Sequence, residues 1–278
     1  MIVITGGTGK LGSRIVEELL RRVPAEEVGV SVREPGRADG LAGRGVRVRR
    51  GDFADPDSLA HAFEGASQVL VVSTDESGET AVRRHVAAID AARDAGAKRV
   101  LYTSHQGAAG DSLFAPMPDH AATERHLTGG PFTALRNGFY ASTVPLLVGQ
   151  ARETGELVAP ADGPVSWTAH ADLAEAAAII LAEERFDGVT PPLTAPVAYD
   201  LADVATMLSE LCGRPIRRVV VDDEEWVAGL LGHGVPEGRA TLLLGMFRAA
   251  RRGEFAVTGP ELEELLGRPA TPLRTLLK

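Results

Sequence analysis

Gly6, Gly9 and Gly12 recur every third residue in Gly6-Gly7-Thr8-Gly9-Lys10-Leu11-Gly12, directly after the apolar Ile2-Val3-Ile4. That spacing suits the binding of a dinucleotide. The chain must turn tightly, let a diphosphate approach the backbone and pack the next helix close to the strand. The helix start then offers unpaired N–H groups and partial positive charge to the phosphates. Residues at the end of the second strand discriminate between dinucleotides. An acid there binds ribose hydroxyls, whereas an arginine fork suits a 2′-phosphate. Here Val32-Arg33-Glu34-Pro35 is followed by Arg37. Arg33 and Arg37 favour NADPH, while Glu34 keeps NADH as the alternative. Asp52 and Phe53, after the third strand, fall where an adenine would lie. Ser73 and Thr74, after the fourth, fall on the nicotinamide side.

Other chemistries find less support. His85, His105, His126 and His170 share no metal-ligand spacing, and the single cysteine, Cys212, forms no cluster with them, so no metal site is expected. Ser104 stands beside His105, but no Gly-x-Ser-x-Gly elbow surrounds it. The 278-residue chain has 38 acidic against 29 basic side chains, a formal charge of −9. That balance argues against a grip on nucleic acid or on an anionic membrane. One cysteine excludes a disulfide framework and fits the cytoplasm. No run approaches the roughly 20 apolar residues of a membrane span. The start, Met1-Ile2-Val3-Ile4, lacks the basic and apolar regions of a signal peptide. The expected setting is a cytoplasmic monomer or homodimer acting on a small molecule.

These residues need a sheet to position them. Apolar runs at Ile2–Thr5, Val28–Val32, Val46–Val48, Val69–Ser73 and Val100–Ser104 alternate with helical patterns at Leu11–Arg22, Ser58–Phe63 and Val82–Ala95. The alternation predicts βαβ units: an α/β, Rossmann-type, doubly wound parallel sheet. In Val46-Arg47-Val48-Arg49-Arg50 apolar and charged residues alternate, which predicts an edge strand with a solvated arginine face. Thr133–Leu135 reads as a sixth strand. Further on, Asp172 is expected to cap Leu173–Glu183, and Asp200 to cap Val204–Cys212, which Gly213-Arg214-Pro215 stops. Ile216–Val221 reads as a strand, and Trp226–Leu231, Ala240–Arg251 and Glu261–Leu266 as helices. The division expected is a NAD(P)-binding domain over residues 1–148. A smaller, mainly helical substrate lobe then covers 149–278, packed on the sheet's C-terminal edge, with the chain crossing between the two.

Several motifs together resemble one family. Thr5-Gly6-Gly7-Thr8-Gly9-Lys10-Leu11-Gly12, Val32-Arg33-Glu34-Pro35, Gly51-Asp52, Tyr102-Thr103-Ser104 and Leu135-Arg136-Asn137-Gly138-Phe139-Tyr140 are similar to the NmrA-like atypical short-chain dehydrogenases. Within that family the similarity runs toward the bacterial NAD(P)H:quinone oxidoreductase type 2 branch. The resemblance extends over nearly the whole chain, including Gly213-Arg214-Pro215 and Glu224-Glu225-Trp226, and is strongest in residues 1–140. It implies a Rossmann sheet, a small C-terminal substrate lobe and a preference for NADPH. It also implies that Ser104 joins the cofactor site, that His120 reaches the nicotinamide ribose, and that Asn137, Gly138, Phe139 and Tyr140 line the nicotinamide pocket. Relatives divide into working reductases and non-catalytic redox sensors.

One departure matters. Ordinary short-chain dehydrogenases protonate a carbonyl with a Tyr-x-x-x-Lys pair, and here the matching place reads His120-Ala121-Ala122-Thr123-Glu124. No lysine lies between Lys98 and Lys278. A quinone tolerates that loss, because reduction restores aromaticity and the phenolate formed is a weak base. Positioning and modest stabilisation of the oxyanion then suffice. His120 is expected to donate a proton near neutral pH, oriented by Glu124 one turn along. Tyr140 is expected to hydrogen-bond a substrate oxygen, and Gln106 and Trp167 are candidate substrate contacts. The expected activity is hydride transfer from NAD(P)H to a quinone or aromatic carbonyl, with a polycyclic, polyketide-type intermediate as one candidate. The alternatives are a redox-sensing NADP(H)-binding protein and, more weakly, an oxygenase-associated ring-tailoring enzyme or a nucleotide-sugar-type epimerase.

Overall fold

Ile2–Thr5, Val28–Val32 and Gln68–Val71 are short, largely apolar runs buried along their whole lengths, as strands covered on both faces must be. In a computed structural model describing residues 1–278 they form the centre of the principal sheet. The strands are β1 (Ile2–Thr5), β2 (Val28–Val32), β3 (Arg47–Arg50), β4 (Gln68–Val71), β5 (Arg99–His105), β6 (Phe132–Asn137), β7 (Glu156–Pro160), β8 (Gly188–Val189) and β9 (Arg217–Val221). Seven of them build one parallel sheet in the order β3-β2-β1-β4-β5-β6-β8, and β7 and β9 pair separately. The doubly wound order is the one expected, and it reverses direction between β1 and β4, where such sheets open a crevice.

The helices of the first half are α1 (Lys10–Leu19), α2 (Asp39–Ala42), α3 (Pro56–Phe63), α4 (Glu79–Asp94) and α5 (Pro116–Leu127). Those of the second are α6 (Val144–Val148), α7 (Ala151–Thr154), α8 (His170–Ala182), α9 (Leu201–Cys212), α10 (Asp223–Gly232), α11 (Glu237–Arg251), α12 (Glu261–Leu266) and α13 (Leu273–Leu276). Helices α1, α8 and α12 cover one face of the sheet with Leu11, Ile15, Leu173, Ile180 and Leu262. Helices α3, α4 and α5 cover the other with Leu59, Phe63, Ile89 and Leu127. A third apolar cluster, including Phe139, Trp167, Phe247 and Phe255, holds the smaller lobe. Chain beyond residue 149 thus serves both bodies, since α8, β8 and α12 belong to the sheet. Buried Arg99 on β5 secures that return through Thr133 and the carbonyls of Ile180, Arg185 and Phe186.

Two local expectations need correction. Asp172 does not cap α8. It lies inside the first turn, fully buried, and accepts from Arg268 and from the Thr271 amide and hydroxyl. Tertiary partners outcompete the local cap there. The arginines of edge strand β3 are not simply solvated. Arg47 donates to the carbonyls of Glu64 and Ala62, and Arg49 to that of His61, so they cap the C-terminal end of α3. Asp200 does cap α9: its carboxylate accepts from the Ala202 and Asp203 amides, and Asp203 returns the bond to the Asp200 amide.

Candidate active site

The β1–α1 turn is built from close approaches. Gly6 has φ +60°, a left-handed conformation that favours glycine. Its amide donates to Ser31 O at 2.9 Å, and the Gly9 amide to Gly6 O at 2.8 Å. A Cβ on Gly12 would sit 2.3 Å from Gly6 O, and one on Gly7 would sit 2.7 Å from Val30 Cγ1. The turn thus has no room for side chains at either position. Helix α1 has no side-chain cap and no acid in its first turn. Its leading N–H groups remain available to an anion.

A cleft of about 740 Å³ opens over this turn and the carboxyl ends of β1, β2 and β4. Of the expected cofactor residues, Gly6, Thr8, Gly9, Lys10, Leu11, Gly12, Arg33, Arg37, Asp52, Phe53, Ser73, Thr74 and Tyr140 line it. Gly7 packs behind it against β2. Arg33 and Arg37 are exposed, and Glu34 joins them on the wall. At the far end Tyr140 packs against His170, centroids 4.3 Å apart and planes tilted by 35°. Burial pushes the Tyr140 phenol up to about 12, against a hydrogen bond with Asn137. Burial, aided by Arg14 and Lys10, brings His170 down to about 4. Both rings are therefore neutral at pH 7. Sequence reasoning missed His170 as a cleft residue, along with Ser142, Thr143, Leu146 and the Arg84–Glu76 ion pair on the wall. None carries a local signal. His170 is a lone histidine at a helix start, brought into the site by packing of α8 on α1.

The remaining candidates lie behind or beside the cleft. Ser104 donates to Glu124 Oε1 at 2.6 Å, and Glu124 also takes Arg136 at 3.0 and 2.7 Å. Glu124 is thus spent on Ser104 and Arg136 instead of orienting His120. Gln106 donates to Phe255 O and accepts from Ser166 Oγ. Trp167 is 3% exposed, with its indole N–H on Tyr199 O. Both are held by the lobe's core and do not reach the cleft. Asn137 is buried with Oδ1 unpartnered. Gly138 lies so close to Thr168 that a Cβ would sit 2.1 Å from its Oγ1. Phe139 packs among His105, Phe114, Trp167 and Phe255.

His120 is half-buried, with Nδ1 2.8 Å from the Tyr102 hydroxyl. It stacks at 6.1 Å on His105, which meets Phe139 and Phe255 edge-on. Burial, then His105 and His85, hold its pKa well below the ordinary histidine range. The imidazole is therefore neutral at pH 7. It can donate a hydrogen bond, but it is not the titrating acid that the sequence suggested.

Residues 6–134 match the NAD(P)H-binding family model. The chain is 33% identical over 276 residues to quinone oxidoreductase 2 of Escherichia coli, covering 98% of this chain and 96% of that one. It is 30% identical over 286 residues to an NmrA-like family domain-containing oxidoreductase of Aspergillus flavus, covering 99% and 93%. The chain belongs to the NmrA-like atypical short-chain dehydrogenases. The fold agrees with this family. An NADPH complex of an NADPH-dependent quinone oxidoreductase from Escherichia coli superposes with a TM-score of 0.94 at 31% identity, covering 100% of this chain and 98% of that one. The NADP(H) complex of a Citrobacter triphenylmethane reductase superposes at 0.90 with 35% identity, covering 99% and 98%. In this NmrA-like chain the glycine turn and strands β2 to β5 fall within the matched NAD(P)H-binding segment, whereas β1 precedes it and Tyr140 and His170 lie beyond it.

Proposed function

We propose that this protein reduces a quinone or related aromatic acceptor with hydride from NADPH bound in the cleft. The chain is an NAD(P)H-dependent oxidoreductase, and NADPH is its cofactor. The residues present fit that group. The Gly12 and Gly7 contacts make a turn with no side chain in the way, the uncapped α1 N–H groups would hold a diphosphate, and Arg33 and Arg37 suit a 2′-phosphate. A cleft of about 740 Å³ also lies inside the range of roughly 300–1,000 Å³ usual for small-molecule sites.

The observation that carries the reading is the pair of neutral rings in close, tilted contact, Tyr140 and His170, closing the far end of the cleft. When bound, NADPH supplies a hydride, and a quinone that accepts it becomes a hydroquinonate. Tyr140 keeps its phenolic proton and offers it as a hydrogen bond to the acceptor oxygen. His120 lies outside the cleft lining, and it would offer a second to an acceptor seated against the aromatic wall of His105, Phe139 and Phe255. A weakly basic phenolate needs no stronger acid, and water supplies the final proton. We assign substrate contact to Tyr140 and His170 at the far end of the cleft and place the protein in the cytoplasm as a monomer or homodimer. A polycyclic, polyketide-type ring is the larger end of the same substrate class.

The test is NADPH consumption by purified protein across benzo-, naphtho- and anthraquinones, with NADH in parallel. Saturable turnover with NADPH preferred is expected, and preference for the anthraquinones would point to polycyclic substrates. Tight NADPH binding with no turnover on any quinone would overturn the reading. It would favour a redox sensor, the alternative that the missing Tyr/Lys pair supports.

A further inference from the structure

Behind Ser73 and Thr74 of the cleft wall lie two imidazoles and a phenol that neither bind nor contact the cleft themselves. His85 on α4 is 2% exposed and Tyr102 on β5 is 0% exposed. The backbone N–H of Thr74 donates to His85 Nε2 at 3.0 Å. A backbone amide can only donate, so Nε2 carries the lone pair and the ring proton is on Nδ1. That Nδ1–H faces Thr123 Oγ1 at 3.2 Å and the Tyr102 hydroxyl at 3.3 Å. Thr123 has its own proton on Asp119 O at 2.8 Å and is free to accept.

The Tyr102 hydroxyl thus reaches two ring nitrogens, His85 Nδ1 and His120 Nδ1. The first is already protonated. Thr123 Oγ1, the other neighbour of the phenol, already faces the His85 Nδ1–H, so the phenolic proton is directed to His120 Nδ1 at 2.8 Å, which leaves the His120 proton on Nε2. The charged groups nearest on α5 do not compete. Asp119 accepts from the Gly78 amide, and Glu124 is bound to Ser104 and Arg136. His105, on the other side, uses Nδ1 to accept from the Gly107 amide.

We infer that His85 and Tyr102 are positioning residues that lock His120 in the Nε2–H tautomer, so that the proton it presents beside the cleft is fixed on Nε2. The catalytic part of this inference rests on the function proposed above; the tautomer does not. A neutral donor suits an acceptor whose product is a weak base. It stabilises developing charge without having to lose a proton, and unlike an imidazolium it costs little to bury. The lock also ties the donor to the cleft, because its first link is the amide of Thr74, a residue of the wall.

The direct test is proton–nitrogen correlation spectroscopy of histidine-labelled protein without substrate, with signals assigned through His85→Gln and His120→Gln. His85 is expected with its proton on Nδ1 and His120 with its proton on Nε2. Tyr102→Phe keeps the ring and removes the hydroxyl. In that variant His120 is expected to become a tautomer mixture, and kcat on a quinone should fall roughly 10- to 100-fold, with NADPH affinity unchanged. Combining Tyr102→Phe with His120→Gln should cost no more than His120→Gln alone. His120 found with its proton on Nδ1, or unaltered by Tyr102→Phe, overturns the lock. Additive losses in the double variant overturn its catalytic role. The expected tautomers in a protein that turns over no quinone would leave the lock standing and remove the functional reading instead.

Discussion

At the glycine-turn end, the groups facing the cleft are the uncapped N–H groups of α1 and the exposed side chains of Arg33 and Arg37. At the other end they are Tyr140 and His170, in contact and neutral, while His85, Tyr102, His105 and His120 lie buried or half-buried outside the cleft lining, His85 behind Thr74. The first end recognises a polyanion, so charge and backbone dipoles are useful there even in water. The second, on the function proposed, surrounds the reacting atoms. Protonated groups there would be costly to bury, whereas oriented neutral donors act on developing charge without reorganising. Binding and chemistry are thus separated by the protonation state that each end imposes.

Acid should break the neutral end first, and this is the largest effect expected. Burial lowers His85 to about 4 and His105 to about 3. Their pKa values lie below that of an unfolded histidine, so the unfolded chain binds more protons in acid. Stability is therefore complete above about pH 6.5 and declines as pH falls toward 4, by about 2 kcal/mol from each ring at about pH 5. Denaturant unfolding at neutral pH and near pH 5 measures this. An unchanged midpoint would mean that the buried rings are not held neutral.

Gly12→Ala attacks the binding end instead. Its Cβ would meet Gly6 O at 2.3 Å, a backbone atom that cannot swing away, so the turn must deform. An overpacking cost of roughly 1–3 kcal/mol corresponds to about a 10- to 100-fold loss of NADPH affinity. A binding titration tests it, and affinity unchanged from that of the parent protein would show that the turn does not shape the diphosphate site. Arg33→Ala is gentler and more selective. Loss of one charged hydrogen bond should weaken NADPH by roughly tenfold while sparing NADH. Equal loss for both cofactors would remove the 2′-phosphate role.

The same contrast explains what the sequence made legible. The strand order, the glycine turn and the Asp200 cap rest on local rules: short apolar runs, glycine spacing and an acid one residue before a helix. The far end obeys no local rule. His170 reaches the cleft because α8 packs on α1, and β8 joins the sheet through only two residues, Gly188 and Val189. Strand β7 ends in a proline and pairs with β9, which begins 57 residues later, so nothing nearby marks it. Glu124 sits one turn from His120, as its spacing implies, yet Arg136 and Ser104 outcompete that neighbour. A buried tautomer network is a tertiary property, and spacing along the chain carries no trace of it.

The smallest expected effect sharpens the comparison most, because it asks whether the neutral end works through its hydroxyl or through its shape. Tyr140→Phe keeps the ring against His170 and removes one donor. If the phenol gives a hydrogen bond to the acceptor oxygen, kcat on a quinone should fall roughly threefold to tenfold, the worth of one neutral hydrogen bond. NADPH affinity should not change, because binding is concentrated at the other end. Tyr140→Ala removes the ring as well and should raise KM for the quinone in addition. A Phe variant as fast as the parent, alongside an impaired Ala variant, would assign Tyr140 to shape alone and leave His120 as the donor. A Phe variant that loses NADPH affinity would mean instead that the two ends are not separate, and that the cleft holds its cofactor partly through the phenol.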